Sequence, residues 1–105
     1  MTEFAKTPSP PYYAVIFTSI LTETTDEYLA IAKQMEGLVK KQEGFLGIES
    51  AREDLGITVS YWQSLEAIKK WKMNSEHLVA QQKGKKGWYK AYKTRICLVE
   101  RDYEF

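Results

Sequence analysis

The segment YYAVIFTSIL, Tyr12 to Leu21, consists almost wholly of β-branched and aromatic residues and reads as a strand. With a two-residue period, Tyr13, Val15 and Phe17 point one way, and Ala14, Ile16 and Ile20 the other, with Thr18 among them. Both sides are largely apolar, which is unusual for an antiparallel sheet that turns one face to water. In TTDEYLAIAKQMEGLVKKQEG the period changes. Tyr28, Ile31, Ala32, Met35, Leu38 and Val39 recur at helical spacing, and Thr24 with Glu27 makes a capping-box pattern. Lys40 and Lys41 suit the negative end of that helix, and Gly44 is its expected stop.

FLGIESARE and GITVSYWQS read as two strands joined by a hairpin turn at DLG. Ser64 caps a second helix, LEAIKKWKMN, in which Leu65, Ile68 and Trp71 share a face and Glu66 pairs with Lys70. SEHLVAQQ either continues this helix or restarts it at Asn74 or Ser75, both good caps. KGKKG reads as a basic loop, and WYKAYKTRICLVERDYEF as a long closing strand. The order β-α-β-β-α-β is the ferredoxin-like order of an α+β fold: a four-stranded antiparallel sheet with both helices on one face. Residues 1–11, ending in PSPP, are expected as a flexible tail, and residues 12–105 as the domain.

Two helices cover one face of such a sheet. Yet the first strand is apolar on both sides, and Ile96 and Leu98 alternate with Cys97 and Val99 in the last. An uncovered apolar face exceeds what monomers usually expose. The expectation is a homodimer, two sheets stacked around a two-fold axis into a dimeric α/β barrel.

Composition narrows the partners. At 105 residues, with 44% apolar and 28% charged, the chain is one ordinary folded domain. A formal net charge of +1 gives no reason to expect nucleic acid or an acidic membrane surface. No run of about 18 apolar residues is present to span a bilayer. The lone Cys97, in TRICLVE, reads as a packed thiol, and no Cys/His cluster has zinc spacing. With no export signal, a cytoplasmic location is expected.

Trp62 ending a strand, SLEAIKKW after it and His77 shortly beyond make a pattern similar to the antibiotic biosynthesis monooxygenase domain family. So does EGFLGIES, which resembles that family's turn into its second strand. The resemblance runs from about Tyr12 to the C-terminus. It implies a dimeric α+β barrel and, in some members, oxidation of phenols or quinols by dioxygen without metal or flavin. Other members degrade haem. Toward that branch Trp71 matches a pocket tryptophan, but the haem-ligating histidine would align near Gln81 and the pocket asparagine near Phe17 or Thr18. Glutamine is a poor substitute for imidazole on iron.

The candidate catalytic group is His77, an imidazole able to exchange a proton near neutrality. On an unbroken helix it lies about 120° from the face of Trp71. A break at Asn74–Ser75 would turn it back toward the sheet. Its plainer reading is an exposed helix residue making a local hydrogen bond. Trp71, Trp62 and Tyr61 are candidates to hold a flat ring, although Trp71 and Trp62 are by default core. Trp88 and Tyr92 would stand at a pocket mouth, and Arg95 would meet a carboxylate or an anionic substrate. No phosphate loop, nucleotide fingerprint or Ser-His-Asp order appears. The expected function is oxidation of a small aromatic or quinol by dioxygen, with no cofactor. The alternatives are haem binding with degradation, and a non-catalytic module that binds a small molecule or serves a stress response.

Overall fold

The structure, a computed structural model, describes residues 3–22, 26–81 and 89–105, with the backbone alone for 79–81. Its elements are β1 (Tyr12–Leu21), α1 (Asp26–Val39), β2 (Phe45–Arg52), β3 (Gly56–Trp62), α2 (Leu65–Gln81) and β4 (Tyr89–Val99). The sheet is antiparallel in the order β2-β3-β1-β4, and the fold is ferredoxin-like. Thr24 of the expected capping box and the KGKKG loop lie outside the described residues.

The helices form where the patterns place them. On α1, Ile31 and Val39 are buried, and Tyr28, Ala32, Met35 and Leu38 are partly covered. Lys40 and Lys41 fall just past the last turn, where the Lys41 and Gln42 amides donate to Leu38 and Val39 carbonyls and tighten the helix end. The chain then reverses at Gly44, whose φ of 84° is a conformation that glycine adopts without a Cβ penalty. The hydroxyl of Ser64 accepts from the Ala67 amide at 3.1 Å and caps α2.

Helix α2 is continuous through Asn74 and Ser75. Neither side chain acts as a cap. Ser75 donates back to the Lys72 carbonyl at 3.0 Å, and Asn74 donates to Gln42 beyond α1 at 2.8 Å. The covered face of α2 is Ala67, Ile68 and Trp71; Leu65, expected on it, stays largely exposed. Leu65 is two residues from Ala67, so it points to the opposite flank once Ala67 faces the sheet.

Register fixes what shares the helix side of the sheet. Cross-strand rows there are Trp62–Tyr13–Leu98, Ser60–Val15–Ile96, Thr58–Phe17–Thr94 and Gly56–Ser19–Tyr92. On β2, Ile48 extends the second row, Ser50 the third and Arg52 the last. The core lies under the first two rows, where Val39, Trp62, Ala67 and Ile68 pack with Tyr13, Val15, Phe45, Ile48 and Trp71. Along β4, Ile96 and Leu98 remain 56% and 51% exposed on the covered side of the sheet.

The opposite face carries Tyr12, Ala14, Ile16, Thr18 and Ile20 of β1, with Tyr61, Val59 and Ile57 of β3. The segment before β1 runs along part of it. The Ala5 amide donates to Glu49 at 2.9 Å, and a Cβ on Gly47 would lie 2.7 Å from that of Ala5. Thr7 donates to the Tyr12 hydroxyl at 3.0 Å, which in turn donates to Asp102 at 2.5 Å. Toward the hairpin end, Ile20 and Ile57 stay exposed. The closing strand stops at Val99, opposite Tyr12, because Pro10 and Pro11 precede β1 and offer no amide donor to extend the ladder.

Candidate functional site

The side chains singled out in the sequence divide between the two faces of the sheet. Trp62 and Trp71 meet on the helix side, ring centroids 6.2 Å apart and planes at 25°, with Phe45 edge-on to Trp62 at 5.4 Å. Trp62 is fully buried, and its indole N–H donates to Ser60 Oγ at 2.9 Å. Tyr61, one residue away, necessarily points to the other face. There its hydroxyl donates to Glu49 at 2.6 Å, and its ring meets Tyr12 edge-on. Arg95 pairs with Ile16 and is on that same face. Tyr92 is on the helix side at the hairpin end, in the row of Ser19. His77 is exposed on unbroken α2, so the continuous-helix geometry applies and the imidazole is off the Trp71 face. Trp88 lies outside the described residues.

A second aromatic group occupies the hairpin end of the helix side. Phe17 meets Tyr89 edge-on and Tyr92 at a tilt, both at 5.5 Å. Tyr89 meets Tyr92 at 5.7 Å and Tyr28 of α1 at 6.1 Å. Beside these rings Arg52 crosses the sheet. Its guanidinium passes over Gly56 on the middle strand and donates to both oxygens of Ser19, to the carbonyl at 3.4 Å from Nη1 and to Oγ from Nη2. A Cβ on Gly56 would overlap that guanidinium, so glycine clears the path. Ser19 is buried although it is polar, and the arginine satisfies it. The periodicity of either strand alone does not reveal this arrangement. The signal was the hairpin itself, because the DLG turn puts Arg52 opposite Gly56.

Three phenols are held protonated. Burial chiefly raises Tyr89 above the ordinary range, with the neighbouring Tyr28 hydroxyl adding through its charge and a hydrogen bond; Arg52 acts the other way. Tyr61 is raised first by burial and then by its bond to Glu49, and Tyr12 by burial and then by Asp102. Tyr89 therefore serves near neutrality as a hydrogen-bonding O–H and not as a base. Among the described residues no group of three or more His, Cys, Asp or Glu side chains comes together to hold a metal ion. On the haem side, Trp71 is on the sheet-facing flank of α2, but Phe17 packs against tyrosines and Thr18 points to the opposite face.

The fold and this helix-side layer of aromatic residues define a ferredoxin-like domain with its candidate site between helices and sheet. The sequence profile described as Antibiotic biosynthesis monooxygenase matches residues 11–83. The chain belongs to that family. It is 48% identical over 103 residues to YqjZ, an uncharacterized protein of Bacillus subtilis, covering 96% of this chain and 90% of that one. Among solved structures it is similar to SnoaB, a cofactor-independent oxygenase from Streptomyces nogalater, with TM-score 0.71 and 8% identity. That match covers 89% of this chain and 97% of SnoaB. It is also similar to the ActVA-Orf6 monooxygenase of Streptomyces coelicolor in complex with nanaomycin D, with TM-score 0.63 and 12% identity over 90% of this chain and 92% of that one. At these identities the two structures show the shared fold. No helix among the described residues is long and apolar enough to cross a membrane.

Proposed function

We propose that this protein is a monooxygenase that oxidises a small electron-rich aromatic or quinol with dioxygen, without metal or flavin, in the cytoplasm. The observation that carries this reading is the aromatic layer on the helix side of the sheet, on a chain of this family. Trp71, backed by the enclosed Trp62 and by Phe45, lies at one end, and Phe17, Tyr28, Tyr89 and Tyr92 at the other. Rings of this kind hold a flat substrate by apolar contact and edge or face packing. Such a substrate supplies its own electrons. Loss of its proton gives a phenolate that reduces dioxygen; one oxygen atom enters the ring and the other leaves as water.

The likeness to a cofactor-independent oxygenase supports a reaction that needs no resident metal. In this reading Trp71 is the ring-facing wall on α2 and Tyr92 stands at the mouth, while His77, the proton acceptor expected from the sequence, lies off the Trp71 face and is assigned no part in the reaction. We also propose that two copies associate through the open sheet face, where Ile20 and Ile57 remain exposed.

The test is oxygen uptake by the purified protein, free of added metal and flavin, with naphthohydroquinones as substrates. Substrate-dependent uptake above the rate of autoxidation, reduced at least about tenfold in Trp71→Ala, is expected. Uptake no faster than autoxidation across the series would end the reading.

A further inference from the structure

Arg52 is exposed, yet its position is fixed. Two of its nitrogens donate to Ser19 across the empty site of Gly56, so the guanidinium lies flat against the sheet near the end of β1. An arginine fork has five N–H donors. Two bonds to Ser19 leave donors over. The row that contains Gly56 and Ser19 ends at Tyr92, one strand spacing of about 5 Å further on. Tyr92 is 65% exposed. Its ring meets Phe17 at 34° and Tyr89 at 61°. Tyr89 stands close enough for the arginine's charge to act on its hydroxyl. A cation held in place, a largely exposed ring and a phenol therefore stand at the same end of the helix side.

We propose that this group is the polar end of the substrate site and takes a flat aromatic molecule carrying an anionic oxygen, a phenolate or carboxylate. The ring lies against Tyr92 and Phe17, and the anionic oxygen accepts from the spare Arg52 donors. The proposal rests on the reading that this chain receives its substrate between helices and sheet. Arg52 is well suited to the task because its fork is planar and already ordered, so little side-chain freedom is lost on binding. The same cation would favour the ionised form of a bound phenol, the form that reacts with dioxygen. In this role Arg52 touches the ligand, and Gly56 and Ser19 are positioning residues that act through it.

The experiment compares 1-naphthoate with neutral 1-naphthamide, by quenching of intrinsic fluorescence and by calorimetry. The wild-type protein is expected to bind the anion about tenfold more tightly than the amide. Arg52→Gln is expected to bind both alike, with its near-ultraviolet circular dichroism unchanged. If Arg52→Gln does not fold, Gly56→Ala decides: it keeps the charge but displaces the guanidinium from Ser19, and it should lose the preference too. Equal binding of the two probes by wild type, binding of neither, or a preference that survives in the folded variant would each overturn the site. Oxygen uptake is read separately. A protein that consumes oxygen with a quinol but shows no anion preference refutes this site and leaves the monooxygenase reading standing.

Discussion

Trp71 of α2 stacks on Trp62 of β3, with centroids 6.2 Å apart and planes only 25° from parallel. The stack makes one tryptophan structural and leaves the other partly open. Trp62 is wholly enclosed and bonded to Ser60, whereas Trp71 keeps an exposed flank. Trp62→Ala is therefore expected to cost about 3–5 kcal/mol, the range for removing a buried large aromatic. Trp71→Ala should cost clearly less while affecting ring binding more. Urea unfolding followed by circular dichroism checks the order, and a larger loss for Trp71→Ala would contradict the packing described.

Gly37 and Gly44 should respond in opposite directions to alanine. Gly37 is within α1, and an added Cβ would meet no atom within 4 Å. Gly37→Ala should stabilise by roughly 0.5–1 kcal/mol, because alanine loses less backbone freedom in a helix. At Gly44 the backbone is left-handed, and a Cβ would lie 2.7 Å from that of Ala67. Gly44→Ala adds about 1–2 kcal/mol of conformational cost to that overlap. Its midpoint in urea should fall, and an unchanged midpoint would mean that the turn is not held as described.

Much of this fold could be read from period alone. Strand alternation assigned Tyr13, Val15 and Phe17 to one face and Ala14 and Ile16 to the other, and the register agrees. The site was less legible, for reasons that can be named. Helix α2 runs on through Asn74, whose side chain bonds to Gln42 thirty-two positions away, a partner that no local pattern reveals. Tyr61 and Trp62 are neighbours in sequence and so look like one site, but a strand sends them to opposite faces. Nothing in the local pattern sets Arg52 apart. Its bond to Ser19 needs two strand pairings at once, and only the assembled sheet supplies both.

Tyr61 and Glu49 should make stability fall in alkali. A phenol whose folded-state pKa is raised contributes stability that is present below the unfolded value, near 10, and is lost as pH rises through the folded value. Tyr12 and Tyr89 are displaced in the same direction, so the three add. The melting temperature is expected to be flat to about pH 9 and to drop beyond about pH 10. In Tyr61→Phe the drop should be shallower, at a cost near neutrality of about 1 kcal/mol for the lost bond to Glu49. A slope unaltered by that substitution would place the alkaline transition elsewhere.

His77 stands exposed on α2, off the flank that carries Trp71. His77→Ala should change stability by less than about 0.5 kcal/mol, as exposed substitutions usually do. If substrate lies between helix and sheet, quinol-dependent oxygen uptake in this variant should stay within about twofold of wild type, with the same pH profile. A loss of a hundredfold, with a pH-dependent limb removed, would instead make the imidazole the proton acceptor and require α2 to move on binding.

Association through the open face is tested where that face is most exposed. Ile57 and Ile20 lie on adjacent strands toward the hairpin end, clear of the segment that bonds to Glu49 and Tyr12. A partner sheet stacked there would desolvate both side chains, and a charge placed among them would be buried unpaired at a cost of several kcal/mol. Ile57→Glu is therefore expected to shift the scattering mass from twice that of the chain to that of the single chain at micromolar concentration. The sheet itself should persist, because Ile57 is not part of the helix-side core. A wild-type mass of one chain would show that this face is left to water or covered otherwise. A dimeric mass retained in Ile57→Glu would place the contact on another surface, such as the exposed β4 edge at Ile96 and Leu98.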